Sequence, residues 1–247
     1  MRPRAVAGLV LAAGAGRRWS EALRSATPSA APKAAPAPTG IVKVLLRDDD
    51  GTSLVVHAVR SLLDAGCAPV VVAVGAHEEA VRTEITRSSA GSDGALREAG
   101  DVVHVVSCEG WEHGIGHSLR AGLAAVHDLV DAHVDHVLIT LADLPDQGPE
   151  LVLRLLDDAP TGPVALARAA YDGRPGHPVL VGRAHWGELL RSDSQDVGAR
   201  SLLSSPEAML VDCGDLALGL DVDVPADLAV APGRWGVHRP ASAVTGS

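Results

Sequence analysis

Apolar positions along the chain follow two alternating periods. Short, nearly unbroken apolar runs stand at Val6–Leu11, Pro69–Val74, Val102–Val106, His136–Leu141, Val164–Ala167 and Pro178–Val181. Their length and β-branched content predict buried strands. Between them, apolar residues recur at 3–4 spacing and predict helices over Leu54–Ala65, His77–Arg87, His117–Leu129, Glu150–Leu156, His185–Arg191 and Val197–Ser204, the first stopped by Gly66. Met209–Asp212 reads as extended, and the polar stretch Ser88–Gly100 as a loop. Strands apolar on both faces and alternating with helices predict a mostly parallel sheet covered on both sides. The expected architecture is a Rossmann-like, three-layer α/β/α fold in a single domain.

One stretch fits neither period. Of the 21 residues of Ser20–Gly40, 7 are Ala, 4 Pro and 3 Ser, a composition that cannot bury a core, so it predicts a flexible insertion at 20–40. Closing a long flexible loop adds little entropy beyond closing a short one, so Arg17-Arg18 and Lys43 at its ends can still meet. From Ala231 onward the chain again reads as loop. The expected organisation is one domain over 1–230 and a tail over 231–247.

Composition then removes whole classes of function. Apolar residues make up 47% of the 247 residues, which excludes a globally disordered chain. Aromatics are 2%, with no Phe, against a base-stacking platform for single-stranded nucleic acid. A formal charge of −10 argues against nucleic acid or an anionic membrane as partner. Cys67, Cys108 and Cys213 show no disulfide spacing, so a reduced, cytoplasmic setting is expected. No apolar run reaches the ~18 residues of a membrane span. Arg2 and Arg4 ahead of Ala5–Ala15 mimic a signal peptide, but that segment is short, Gly-rich and runs into Arg17-Arg18.

Ligands of open α/β sheets bind beyond the carboxyl ends of strands, and chemistry-bearing residues sit there. After the first strand comes Leu11-Ala12-Ala13-Gly14-Ala15-Gly16-Arg17-Arg18. A dinucleotide fingerprint fails at Trp19, and no P-loop exists. Small residues still let a base or phosphate approach the backbone, and arginines add bidentate phosphate contacts; an ordinary βα turn is the alternative. The chain holds 19 Arg but 2 Lys among its 21 basic residues. Of these, Lys43 lies between apolar neighbours, where a compact mobile charge suits a phosphate and a snorkelling edge lysine is the alternative. Asp143 ends the fourth strand, and Asp221 and Asp223 share one side of an extended segment; either set suits a hard cation such as Mg²⁺, or simply a turn and a helix start. Ser118, opening a helix after Gly114-Ile115-Gly116, suits an anion or a base edge. In the same region Cys108, His113 and His117 form a rival zinc set, with no fixed fourth ligand. The hexamer Gly173-Arg174-Pro175-Gly176-His177-Pro178 reads as a tight loop before a strand. There Gly176 allows close approach, and Arg174 and His177 suit an anionic acceptor. Arg200, in Gln195-Asp196-Val197-Gly198-Ala199-Arg200, offers another basic contact, or the segment merely caps a helix.

Taken in order, these segments resemble the MobA-like nucleotidyltransferases, most closely the molybdenum cofactor cytidylyltransferases. The family's L-A-A-G-x-S-x-R-M-G reads Leu11-Ala12-Ala13-Gly14-Ala15-Gly16-Arg17-Arg18-Trp19-Ser20 here, with Lys43 as its downstream lysine. Its G-D-M-P reads Ala142-Asp143-Leu144-Pro145, its G-x-P-G-H-P reads residues 173–178, its G-D-x-G-A-R reads 195–200, and its D-I-D-T-P-x-D reads 221–227. The departures are Trp19, Ser20, Ala142, Gln195 and the insertion. The resemblance implies a Mg²⁺-dependent enzyme of molybdenum cofactor biosynthesis that transfers NMP from an NTP to a phosphorylated small-molecule acceptor and releases pyrophosphate. Arg18 and Lys43 would hold the triphosphate, and Asp143 and Asp223 the metal. Leu11, Ala12, Ala13, Gly14, Gly16 and Ser118 would bind the nucleotide, and Arg174, Gly176, His177 and Arg200 the acceptor. L-A-A-G and G-H-P favour CTP. A molybdoenzyme or its maturation factor is an implied further partner. Three alternatives stay open: transfer to a sugar phosphate or other phosphorylated metabolite, a glycosyltransferase using Asp221-Val222-Asp223, and a non-catalytic nucleotide-binding maturation factor.

Overall fold

A computed structural model describes residues 5–25, 42–89, 96, 101–191, 202 and 207–229. Seven strands form one sheet: β1 (Val6–Ala12), β2 (Val70–Val74), β3 (Val103–Ser107), β4 (His136–Leu141), β5 (Leu166–Tyr171), β6 (Arg174–Gly182) and β7 (Met209–Asp212). Their spatial order is β3-β2-β1-β4-β6-β5-β7. The helices are α1 (Arg17–Ser25), α2 (Leu54–Asp64), α3 (Glu78–Ser89), α4 (Ile115–Leu129), α5 (Pro149–Asp158) and α6 (Trp186–Arg191).

The apolar runs become strands because both their faces are covered. Every residue of β1 and β2 is buried. On one face of the sheet Val10, Val72, Leu138 and Leu180 pack with Val55 and Val59 of α2, Val81 and Ile85 of α3 and Leu155 of α5. On the other, Leu9, Val71, Ile139 and Val181 pack with Leu123 and Val126 of α4 and Trp186 and Leu189 of α6. Burying each such side chain contributes roughly 1.5–3 kcal/mol, so this period-2 division of the strands gives the three layers their stability. Gly122 is the close-approach point of α4: a Cβ there would sit 2.5 Å from the Leu9 side chain.

The sheet is mostly parallel, as expected, with one exception: β6 runs antiparallel to both β4 and β5. Strand composition carries no direction; the short Asp172-Gly173 turn, with Asp172 at φ 51° and Gly173 at φ 74°, folds β6 back on β5. Two expectations change. Because of this turn the 173–178 hexamer is not a loop before a strand: Arg174–Pro178 is the start of β6 itself. The flexible insertion does not begin at Ser20 either. Residues 20–25 continue α1, because Trp19 buries its ring and Leu23 packs beside it; residues 26–41 lie outside the described residues. So do most of the expected 197–204 helix and the 231–247 tail. Among the described residues no helix is long and apolar enough to cross a membrane.

Candidate active site

The carboxyl ends of β1 and β4 open into a cleft. β1 runs directly into Ala13–Gly16, and Gly16 adopts φ +57°, a conformation open to glycine at little cost. It turns the chain into α1, where Ser20 N donates to the Gly16 carbonyl at 2.9 Å. Trp19, 2% exposed, then meets Leu46, Leu54 and Val222 in a small apolar cluster apart from the two main cores. This cluster ties together three segments distant in sequence: α1, the chain around Lys43, and residues 219–229. Val222 N also donates to the Asp143 carbonyl at 3.0 Å. Asp227 Oδ2 accepts the backbone N–H groups of Asp223 and Val224, both at 2.7 Å, so Asp227 is spent on local structure.

The consequence is convergence of charge. Lys43, on a single 3₁₀ turn (Lys43–Leu45), places Nζ 2.5 Å from Asp143 Oδ2 and 3.6 Å from Asp223 Oδ1. The Lys43 side chain is 12% exposed. Arg18 donates to the other Asp223 oxygen from the solvent side. Burial pushes the Asp143 carboxyl above its usual range; the charge and hydrogen bond of Lys43 oppose this, and the nearby Asp221 carboxylate adds to it. A cavity of about 370 Å³ adjoins this group. Leu11, Ala13 and Gly14 line it on one side, Trp111, Ile115 and Ser118 on the other, with Arg18, Asp143, Asp221 and Asp223 at the charged end. Gly14 has open space where a Cβ would be.

The predicted residues divide accordingly. Arg18, Lys43, Asp143 and Asp223 come together, and Leu11, Ala13, Gly14 and Ser118 line the cavity. Ala12 is buried against the opposite face of the sheet, and Gly16 supplies the turn. Arg174, Gly176 and His177 are absent from this lining. Arg174 is mostly exposed, 4.0 Å from Asp172. His177 is half-buried: desolvation first, then the Arg168 charge, push its pKa down to about 4, so at neutral pH it offers an uncharged ring rather than a cation. Its Nδ1 has no hydrogen-bond partner. Arg200 lies outside the described residues. The zinc set does not assemble. Cys108 is buried, and desolvation together with the Glu78 charge pushes its thiol up to about 11. Among the described residues no three His, Cys, Asp or Glu side chains form a metal-holding group.

Among the lining residues that the sequence reading did not single out is Trp111. Trp111 lies against Gly75, where a Cβ would stand 2.5 Å from its ring; the signal was a glycine directly after β2. Asp221, read beside Asp223 on one side of an extended segment, lines the cavity together with it.

As for a divalent cation, Mg²⁺ usually takes one or two protein carboxylates and completes its shell with water and phosphate oxygens. Asp143 and Asp223, both on the Lys43 ammonium, supply two carboxylates of that kind. The residues fit such an ion held jointly with a phosphorylated ligand; they do not form a closed cage.

The comparisons agree with this architecture. Rv0371c from Mycobacterium tuberculosis H37Rv is 26% identical, with a TM-score of 0.61 over 94% of this chain and 98% of that one. A second structure of that protein, in complex with manganese, gives 22% identity and a TM-score of 0.57 over 92% and 97%. The nucleotidyl transferase Mth528 from Methanothermobacter gives 19% and 0.68 over 93% and 97%. The inositol-1-phosphate CTP transferase from T. maritima gives 16% and 0.59 over 92% and 93%. No curated protein matches the chain. Residues 8–209 match the model of the MobA-like NTP transferase domain, a span running from within β1 through β6 and holding Arg18, Lys43 and Asp143. The chain therefore belongs to the MobA-like NTP transferase family, the nucleotidyltransferases of this Rossmann-like fold.

Proposed function

We propose that the protein transfers a nucleotidyl group from an NTP, CTP by preference, to the phosphate of a small acceptor, the molybdenum cofactor, and releases pyrophosphate. The observation that carries this reading is Lys43 Nζ held between Asp143 and Asp223 beside a cavity floored by small residues. In such a reaction an acceptor phosphate oxygen attacks the α-phosphorus, the bond from that phosphorus to the β-bridging oxygen breaks, and pyrophosphate leaves. No covalent enzyme intermediate is needed; catalysis rests on positioning and on neutralising charge.

The chain's own residues then have distinct work. The backbone and small side chains of Leu11, Ala13 and Gly14 admit the nucleoside, with Trp111 and Ser118 opposite. Lys43 and Arg18 exchange their carboxylate partners for phosphate oxygens as the triphosphate enters. Lys43 then places a buried cation where charge develops on the leaving group. Asp143 and Asp223, released from those pairs, would hold the divalent ion, Mg²⁺ in this reading, which would offset phosphate charge. The manganese carried by the mycobacterial relative supports an ion of this class. His177 and Arg174, at the start of β6 beside the end of β4, face the acceptor, with His177 as a neutral hydrogen-bonding group.

The T. maritima relative, named for inositol-1-phosphate and CTP, favours a second acceptor class: a phosphorylated polyol or sugar. One experiment separates the readings. Pyrophosphate release is measured with each of four NTPs, with a molybdopterin-type acceptor, a panel of sugar and polyol phosphates, or none. Release with CTP dependent on the molybdopterin acceptor is the expected result. Release only with a sugar phosphate selects the second class, and none with any pair sinks both.

A further inference from the structure

Behind Lys43 the chain forms a tight hairpin clamped by a carboxylate from another element. Arg47 pairs with Ser53 in an antiparallel bridge, Leu54 N donates to the Leu46 carbonyl at 2.9 Å, and Leu46 N donates back to the Lys43 carbonyl at 3.0 Å. Glu84 of α3, 5% exposed, reaches this hairpin. Arg47 donates to it as a fork, Nη1 to Oε1 at 2.8 Å and Nη2 to Oε2 at 2.5 Å, and Ser53 Oγ donates to Oε1 at 2.9 Å. Arg47 Nη1 also closes the hairpin tip on the Gly51 carbonyl at 2.7 Å, and Arg87 covers the carboxylate from outside at 3.0 Å. Burial would raise the Glu84 pKa, but Arg47, Ser53 and Arg87 together hold it below the ordinary range.

A buried carboxylate is a costly way to join a helix to a loop, since apolar packing would stabilise as well or better. What a forked ion pair adds is direction. We propose that Glu84 is a positioning residue for nucleotidyl transfer: through Arg47 and Ser53 it fixes the 46–54 hairpin and thereby the site of Lys43 Nζ. Only one hydrogen-bonded turn separates the hairpin from Lys43, so movement of one is movement of the other. Misplacing a reacting or neutralising group by about 1 Å can cost about 10²-fold in rate.

The inference rests on the catalytic reading of Lys43, and a double-mutant cycle separates the two. Glu84→Gln, and independently the milder Arg47→Lys, which keeps the charge but loses the fork, are each made alone and with Lys43→Ala. Pyrophosphate release is followed at saturating and limiting NTP. In the parent background each is expected to lower kcat about tenfold while KM for the NTP moves less than about twofold. With Lys43→Ala already present, neither lowers the rate further. Losses that multiply in the double variants, or full activity in both single ones, overturn the inference alone. Unaltered release by Lys43→Ala overturns the catalytic reading, and this inference with it. Arg47→Lys decides the cycle if Glu84→Gln does not fold.

Discussion

Lys43 was legible because it is an exception: a lysine in a chain that otherwise uses arginine, set among apolar neighbours. Asp143 was legible because a carboxylate ended an apolar strand. Asp143→Asn keeps the shape and removes the charge, so it is expected to lower pyrophosphate release by ~10²–10³-fold, read in the NTP assay with circular dichroism unchanged. Gly14 gives a different result. A Cβ there meets no atom within 4 Å beyond its chain neighbours, so Gly14→Val should leave the melting temperature alone while weakening NTP binding at least tenfold by calorimetry. His177 shows what sequence could not supply. A histidine in a glycine-bearing turn reads as an anion binder, but desolvation and Arg168 hold it near pKa 4, against about 6.5 when unfolded. The unfolded chain therefore binds the extra proton between these values. The stability this ring contributes is complete above pH 6.5 and is lost as pH falls toward 4, by roughly 3 kcal/mol at most. His177→Gln should flatten the dependence of denaturation midpoint on pH across that window.

Among elements, β1, β2 and β4, apolar on both faces, were readable almost to the residue, whereas β5, expected at Val164–Ala167, runs Leu166–Tyr171. Direction and register were not readable, because they depend on turns and partners rather than composition. β6 is the case in point. Reversed relative to its neighbours, it brings its beginning, not its end, to the ligand side of the sheet, which is how residues 174–177 reach that edge. Tyr171 fastens this arrangement. Its hydroxyl donates to the His177 carbonyl at 2.5 Å, and its ring lies against both Gly176 and Gly219. Gly219 has φ +64°, and a Cβ there would stand 2.2 Å from the ring. Gly219→Ala is therefore expected to cost ~1–3 kcal/mol and to lower the melting temperature by several degrees, displacing the segment that carries Asp221 and Asp223. An unchanged melting curve would refute this account of Tyr171.

At the scale of the molecule, the alternation of strands and helices was enough to specify the layers, since each face of the sheet needs its own cover. The convergence of the site was expected from the ordered motifs and the family they resemble, not from any local pattern. It depends on Trp19 meeting Val222 across nearly the whole chain, and no local pattern encodes that meeting. Substrate binding should be visible globally: NTP with Mg²⁺ at about 100-fold over Kd stabilises the native state by ~2.7 kcal/mol. A rise in melting temperature with both ligands, abolished by Asp143→Asn or by EDTA, is the expected result. Because Trp19, Leu46, Leu54 and Val222 form a knot of their own outside the two sheet cores, that knot can come undone while the sheet stands. Arg18, Lys43 and Asp223 would then be surrendered as a set, so damage to this corner would yield a well-folded, inert protein rather than a feebly active one.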